Sequence, residues 1–201
     1  MLAPLPLLPL PPGDFDAYLF DCDGTITDSM PVHYRAWQDA LAEWACEFPE
    51  ELFYAWGGRP VADIVAELNA RQGLTMPVAA VAARQEELFR AGLGTMRAVP
   101  GVLEHIHEAH QRVPFAVVSG STREAVVTSL DALGLLGHFP VLVCAGDYEK
   151  PKPHPEPYLM GARLLGVDPA RCLVFEDTEL GVRAAEAAGM ACVRVPPPWE
   201  R

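Results

Sequence analysis

Four short stretches carry the residues that could do chemistry. In FDCDGT, residues 20–25, Asp21 and Asp23 flank a cysteine and lead into Gly24 and Thr25. In VVSGS, residues 117–121, an apolar pair runs into Ser119, Gly120 and Ser121. In EKPKPHPEPYL, residues 149–159, four prolines surround Lys150 and Lys152, the two lysines of the whole chain. In CLVFED, residues 172–177, another apolar run ends in Glu176 and Asp177. Carboxylates at the end of a buried strand are costly unless something compensates them. Gathered at one edge they repel and raise one another's pKa values, and a hard divalent cation with oxygen ligands relieves that. Mg²⁺ suits such a site better than zinc. Hydroxyls and backbone N–H groups in a strand-to-helix turn can hold an anion, and a stiff proline loop can deliver a lysine to it. A metal, a nucleophilic carboxylate, a lysine and a serine are the parts of a phosphoryl-transfer site. One carboxylate can attack phosphorus to give an acyl phosphate. A second can protonate the leaving oxygen and then take a proton from the attacking water.

The elements that must position these groups follow from hydrophobic rhythm. AYLFD, residues 17–21, is a short apolar run ending in an acid, which predicts a buried strand. From Pro31 the pattern turns helical: Tyr34, Trp37, Leu41 and Trp44 share one helix face. A second helix follows WGGRP, with Val61, Ile64, Val65 and Leu68 in step, and a third covers 77–92. The segment 30–98 therefore holds helices and no strand. Beyond it the units alternate: a helix over 101–111, a strand ending in Ser119, a helix over 122–134, a strand in PVLVCAG. A helix after HPEPYL, the strand CLVFED, a helix over 179–188 and a last strand in ACVRV complete the series. This alternation predicts a parallel sheet covered by helices on both faces. Such sheets bind ligands at the carboxyl ends of their strands, so Asp21, Ser119, Glu176 and Asp177 converge on one rim.

Composition narrows the function classes. The 201 residues suit one core domain with a modest insertion, and a net charge of −12 argues against a nucleic-acid partner. Five cysteines, odd in number and with no CxxC pair, predict reduced thiols in a cytoplasmic protein, not disulfides or a zinc site. Cys22 should alternate away from its flanking acids into the core. The lead-in MLAPLPLLPLPPG lacks a basic region and is broken by prolines, so we expect a flexible segment, neither a signal peptide nor a membrane span. Asp14 and Asp16 are expected to cap or solvate. His105, His107 and His110 do not share one helical face, so no metal site is expected there.

In this order, the four stretches resemble the haloacid dehalogenase superfamily: DCDGT for its DxDGT signature, VVSGS for the strand-end serine, KPHPEPYL for the lysine loop, and VFEDTELG for the acidic motif. The resemblance implies an α/β, Rossmann-like core of residues 1–29 and 99–201 and an α-helical cap of residues 30–98. That cap is in the manner of the β-phosphoglucomutase-like branch. The resemblance implies Asp21 as nucleophile and Asp23 as general acid and base. It implies Mg²⁺ on Asp21, the backbone carbonyl of Asp23, and Asp177, with Glu176 assisting directly or through water. Ser119, Gly120 and Lys152 are then the phosphoryl-binding groups. Lys152 is preferred to Lys150 because it keeps the family's spacing to the tyrosine and leucine that follow.

DSMPVHYRAW and WGGRP resemble the branch's cap-entry and substrate-loop segments. His33 and Arg59 are therefore candidate substrate contacts, Arg59 foremost because a guanidinium can grip an anionic or hydroxyl-rich group. Trp37, the third candidate there, is better explained as core. One departure matters: the cap has no lysine, whereas mutases of the branch use a cap lysine and an arginine, and Arg84 or Arg90 would have to substitute. The expectation is a Mg²⁺-dependent phosphatase of a small phosphorylated metabolite, a sugar phosphate, acting as a monomer through an aspartyl-phosphate. The alternative is a β-phosphoglucomutase, and a more remote one is a non-catalytic relative that binds a phosphorylated ligand or a protein.

Overall fold

The computed structural model describes residues 7–56, 59, 61–197 and 200. Strand β1 (Ala17–Phe20) is followed by helices α1 (Met30–Leu41), α2 (Glu50–Ala55), α3 (Val61–Gln72) and α4 (Val78–Gly92). Then come α5 (Val102–Ala109), β2 (Phe115–Val118), α6 (Arg123–Ala132), β3 (Val141–Val143) and α7 (Glu156–Leu165). The chain ends with β4 (Cys172–Glu176), α8 (Glu179–Ala187) and β5 (Ala191–Arg194). The strands form one parallel sheet in the order β3-β2-β1-β4-β5. The chain divides into two compact units, one up to Asp28 and from Arg97 onward, the other Ser29–Met96.

Period-two alternation of side chains sets which face each residue serves. Tyr18 and Phe20 enter a core with Phe115, Val117, Leu173, Phe175, Ile106 and Leu130. Ala17 and Leu19 enter the opposite core with Ala116, Val118, Val174, Tyr158, Ala162 and Ala184. Strands buried on both faces are apolar at every position, which is why AYLF, FAVV and CLVF read as unbroken apolar runs. The same parity carries Asp21 and Glu176 to the α7 side, while Cys22 and Ile26 belong to the other core.

The helical unit has its own core of Trp37, Leu41, Phe48, Phe53, Ile64, Leu68 and Val81. Trp37 is thus a core residue, 3% exposed. Two details depart from expectation. Helix α1 stops at Leu41, and Trp44 sits in a 3₁₀ turn that Ala45 ends at φ 47°, although Trp44 still packs on the same core. Helix α2 was not anticipated: six residues are too few to show a period, and its local signals are Pro49 at the cap with Glu50 and Glu51 in the first turn.

The lead-in is also corrected. Its first six residues lie outside the described residues, but Leu8 packs against the α5 core and its carbonyl accepts a 2.8 Å hydrogen bond from buried His105. Asp16, expected to cap or solvate, forms a bidentate pair with Arg171, at 2.8 and 2.9 Å. No helix among the described residues is long and apolar enough to cross a membrane.

Helix α7 approaches the sheet closely because Gly161 has no side chain. A Cβ there would lie 2.9 Å from Leu19 Cδ2 and 3.1 Å from Val118 Cγ2, atoms of fully buried residues. Overpacking such a contact costs about 1–3 kcal/mol. Gly161→Val is therefore expected to lower the free energy of unfolding, measured by urea denaturation, by that amount, and an unchanged midpoint would contradict this close packing.

Candidate active site

A tight turn begins the site. The Cys22 carbonyl accepts hydrogen bonds from the backbone N–H groups of Ile26 and Thr27, both at 2.9 Å, and from the Thr27 hydroxyl at 3.1 Å. Gly24 stands at φ 87°, and a Cβ on it would lie 2.2 Å from Asp177 Oδ2. Glycine is required there twice over, by backbone conformation and by the carboxylate pressed against it. The backbone N–H of Asp21 donates to the Phe175 carbonyl at 3.0 Å, fixing the end of β1 beside the end of β4.

Lys152 joins the two strand ends. Its ammonium donates to Asp21 Oδ1 at 2.7 Å and to Glu176 Oε2 at 2.6 Å, with its side chain 12% exposed. It also lies 4.9 Å from the centre of the Tyr158 ring. The loop that delivers it is anchored from the first turn of α7, where Glu156 accepts from the backbone N–H groups of Glu149 and Lys150 at 2.9 and 3.2 Å. Lys150 itself is exposed.

Glu176, fully buried, is satisfied at both oxygens. Oε2 accepts from Lys152 and from the Tyr158 hydroxyl at 2.6 Å. Oε1 accepts from the Thr178 N–H at 2.9 Å and the Thr178 hydroxyl at 2.7 Å. Thr178 Oγ1 in turn caps α8 by accepting from the Gly181 N–H at 3.0 Å. A Cβ on Gly181 would fall 1.8 Å from Glu176 Oε2, so the helix leaves the space the carboxylate fills. Asp177 Oδ1 accepts from the Thr25 hydroxyl at 3.0 Å. Asp21, Glu176 and Asp177 each offer an oxygen within 4.8 Å of the others, and among the described residues this is the one such group that could hold a metal ion.

The electrostatics follow from these partners. Burial pushes the Asp21 carboxyl well above its ordinary range; Lys152 opposes this, and the charges of Glu176 and Asp177 add to it. Burial acts the same way on Glu176, but the charge and hydrogen bond of Lys152, with those of Tyr158 and Thr178, outweigh it and hold the carboxyl below the usual range. Burial and the Glu176 charge push Asp177 up to about 7. Burial disfavours the Lys152 charge, yet Asp21 and Glu176 more than compensate and keep it protonated. One ammonium thus serves two carboxylates unequally: at Glu176 it is joined by Tyr158 and Thr178, whereas at Asp21 burial outweighs it.

The remaining residues fall in two places. Asp23 Oδ2 accepts from the Ser121 hydroxyl at 2.7 Å, so β1 and the turn after β2 meet at that carboxylate. Ser119 is buried; its Oγ accepts from the Ser121 N–H at 3.0 Å, and its carbonyl accepts from Tyr148 at 3.1 Å. Gly120 is exposed beside it, with open space where a side chain would be. His33 and Arg59 belong to the helical unit. The His33 ring stacks on Phe89 with centroids 3.8 Å apart and lies 3.3 Å from the Gln85 amide. Arg59 is exposed, its guanidinium 4.7 Å from the Trp56 ring centre; Gly57, Gly58 and Pro60 of that segment lie outside the described residues. Thr25, Tyr158 and Thr178 are not marked as site residues by the sequence, and Ser121 is marked there only as part of the anion-holding turn, not as a partner of Asp23. All four sit inside or beside the motifs, which is the one signal that could have found them.

A profile of the haloacid dehalogenase-like hydrolases matches residues 15–189. Over 88% of this chain and 94% of its own length, the fructose-1-phosphate phosphatase YqaB of Escherichia coli is 34% identical. Hexitol phosphatase A of Escherichia coli is 32% identical over 90% of this chain and 83% of its own. A crystal structure from Thermotoga maritima, assigned as a β-phosphoglucomutase, superposes with a TM-score of 0.75 at 26% identity, covering 87% of this chain and 82% of that one. The motifs that meet at the carboxyl ends of β1, β2 and β4 are thus those of a known lineage, and the chain belongs to the haloacid dehalogenase-like hydrolases, in their β-phosphoglucomutase-like branch.

Proposed function

We propose that the protein is a Mg²⁺-dependent phosphatase that hydrolyses a small sugar phosphate through an aspartyl-phosphate on Asp21. The coarser class, a hydrolase of phosphoric monoesters, rests on the family and on the phosphatases it resembles. The finer reading is carried by one observation: a buried lysine bridges the first acid of FDCDGT to the acidic motif after β4. The donor set fits a hard cation. Three carboxylates facing one ammonium leave excess negative charge, and every donor is oxygen. We assign Mg²⁺ to Asp21, Asp177 and the Asp23 carbonyl, with Glu176 beside them already engaged by protein donors. Bound there, Mg²⁺ would neutralise charge on the phosphoryl oxygens.

The chain's own groups divide the rest. An Asp21 carboxylate oxygen attacks phosphorus as the bond to the sugar oxygen breaks, and Asp23 gives that oxygen its proton. Asp23, oriented by Ser121, then takes a proton from the water that attacks the phosphorus, and Asp21 is released. Ser119, the Gly120 backbone and Lys152 hold the phosphoryl oxygens through both steps. Arg59, exposed on the helical unit, is the candidate for a second polar part of the substrate, with His33 a lesser one because it is already stacked on Phe89. The absence of lysine from residues 30–98 favours a phosphatase over a mutase, which must hold a bisphosphate both ways round.

Two measurements test this reading. Asp21→Asn keeps size and hydrogen bonding but removes the nucleophile. Phosphate release from a panel of sugar phosphates should fall about a thousandfold or more with the circular dichroism unchanged, whereas near-wild-type rates would refute the mechanism. Mg²⁺ binding must also displace protons from the raised carboxyls of Asp21 and Asp177, the latter at about 7. Titration calorimetry in buffers of different ionisation enthalpy should show proton release at mildly acidic pH, with the share from Asp177 declining as the pH rises above about 7. Binding without proton release at any pH would contradict the assigned ligands.

A further inference from the structure

Tyr158 has a polar task that packing does not explain. It is fully buried on the inner face of α7, where a phenylalanine would fill the same ring volume. A buried hydroxyl is costly unless bonded, and this one donates to Glu176 Oε2, the same oxygen that receives Lys152. The ring lies beneath the same ammonium, 4.9 Å from it. Tyr158 therefore meets Lys152 twice, once through its ring and once through a shared carboxylate. Its own place is fixed, since Gly161 one turn on lets α7 sit against Leu19 and Val118.

We propose that Tyr158 is a positioning residue for Lys152: its hydroxyl fixes the Glu176 carboxylate and its ring supports the ammonium, which together set the grip on the phosphoryl group. The proposal rests on the function given above. Its physical sense lies in the order of events. When Asp21 bonds to phosphorus, the carboxylate becomes an acyl phosphate and gives up its negative charge. Lys152 then loses one of its two anionic partners, and Glu176 remains as its tether. A carboxylate held by Tyr158 on one oxygen and Thr178 on the other keeps the ammonium at the rim while its second hydrogen bond passes from Asp21 to a phosphoryl oxygen.

The test is Tyr158→Phe, which keeps the ring and removes the hydroxyl, so packing and the ring contact persist. With Mg²⁺ and a sugar phosphate, inhibition by inorganic phosphate should weaken about tenfold, the cost of one hydrogen bond to a charged group. kcat/KM should fall by a similar factor, with circular dichroism unchanged. Because the hydroxyl acts through Glu176, adding Tyr158→Phe to Glu176→Gln should change phosphate inhibition by less than about twofold. Two equal, independent losses would point to a merely structural role and overturn the proposal. So would phosphate inhibition of Tyr158→Phe within about twofold of an active wild type. If the wild type neither releases phosphate from sugar phosphates nor binds inorganic phosphate, the functional reading falls first, and this proposal falls with it.

Discussion

A single buried ammonium sets the terms for this molecule. Lys152 lies between Asp21 and Glu176 at the end of two adjacent strands. Removing one partner of a buried ion pair leaves an uncompensated charge and costs about 3–5 kcal/mol. Much of the local sequence serves to keep that contact in place. Glu156 ties the lysine loop to α7, Gly161 brings α7 onto the sheet, and Gly181 clears room for Glu176. Tyr158 and Thr178 satisfy what Lys152 leaves open on that carboxylate. Burial pushes up the carboxyls of Asp21 and Asp177, and the charge of Glu176 adds to this because one cation cannot balance three acids. These are the two side chains we assign to a divalent cation.

The rim also separates residues that are neighbours in sequence. Asp21 and Asp23 stand two positions apart, but the turn closed on the Cys22 carbonyl sends them to different partners, Lys152 and Ser121. Glu176 and Asp177 are adjacent, yet one is enclosed by α7 and α8 while the other meets Thr25 and Gly24. Cys22, set between two acids, faces the core and has its thiol pushed well up by burial and by those two carboxylates. It is a packing residue, as its place in strand alternation indicated.

The sheet and the strand-end acids and serine were legible because they lie where apolar runs stop, and strand ends of a parallel sheet share an edge; Lys152 was legible instead from its proline-stiffened loop. The elements that could not be read lack such a mark. Helix α2 has six residues, too few to show a period. Trp44 continues the helical spacing of α1 in sequence, but after Leu41 the backbone tightens into a 3₁₀ turn that Ala45 ends. Leu8 looked like part of a loose proline segment because its anchor, His105, lies 97 residues away. The partners of the site were hidden for a similar reason. Tyr158 matched an aromatic position in the lysine motif, but its hydroxyl gains meaning only when α7 is laid beside Glu176. Arg171, far along the chain from Asp16, shows the same limit at the surface.

Asp21 is the group we assign to receive the phosphoryl moiety. The wild-type enzyme, mixed with Mg²⁺ and a sugar phosphate it hydrolyses and quenched in acid during turnover, can be digested and its peptides weighed. One added phosphoryl group is expected on the peptide that contains Asp21, localised to that residue and lost on brief treatment with base. A phosphoryl group on Ser119 or on a histidine, or none on the Asp21 peptide under conditions of rapid turnover, would contradict the assignment.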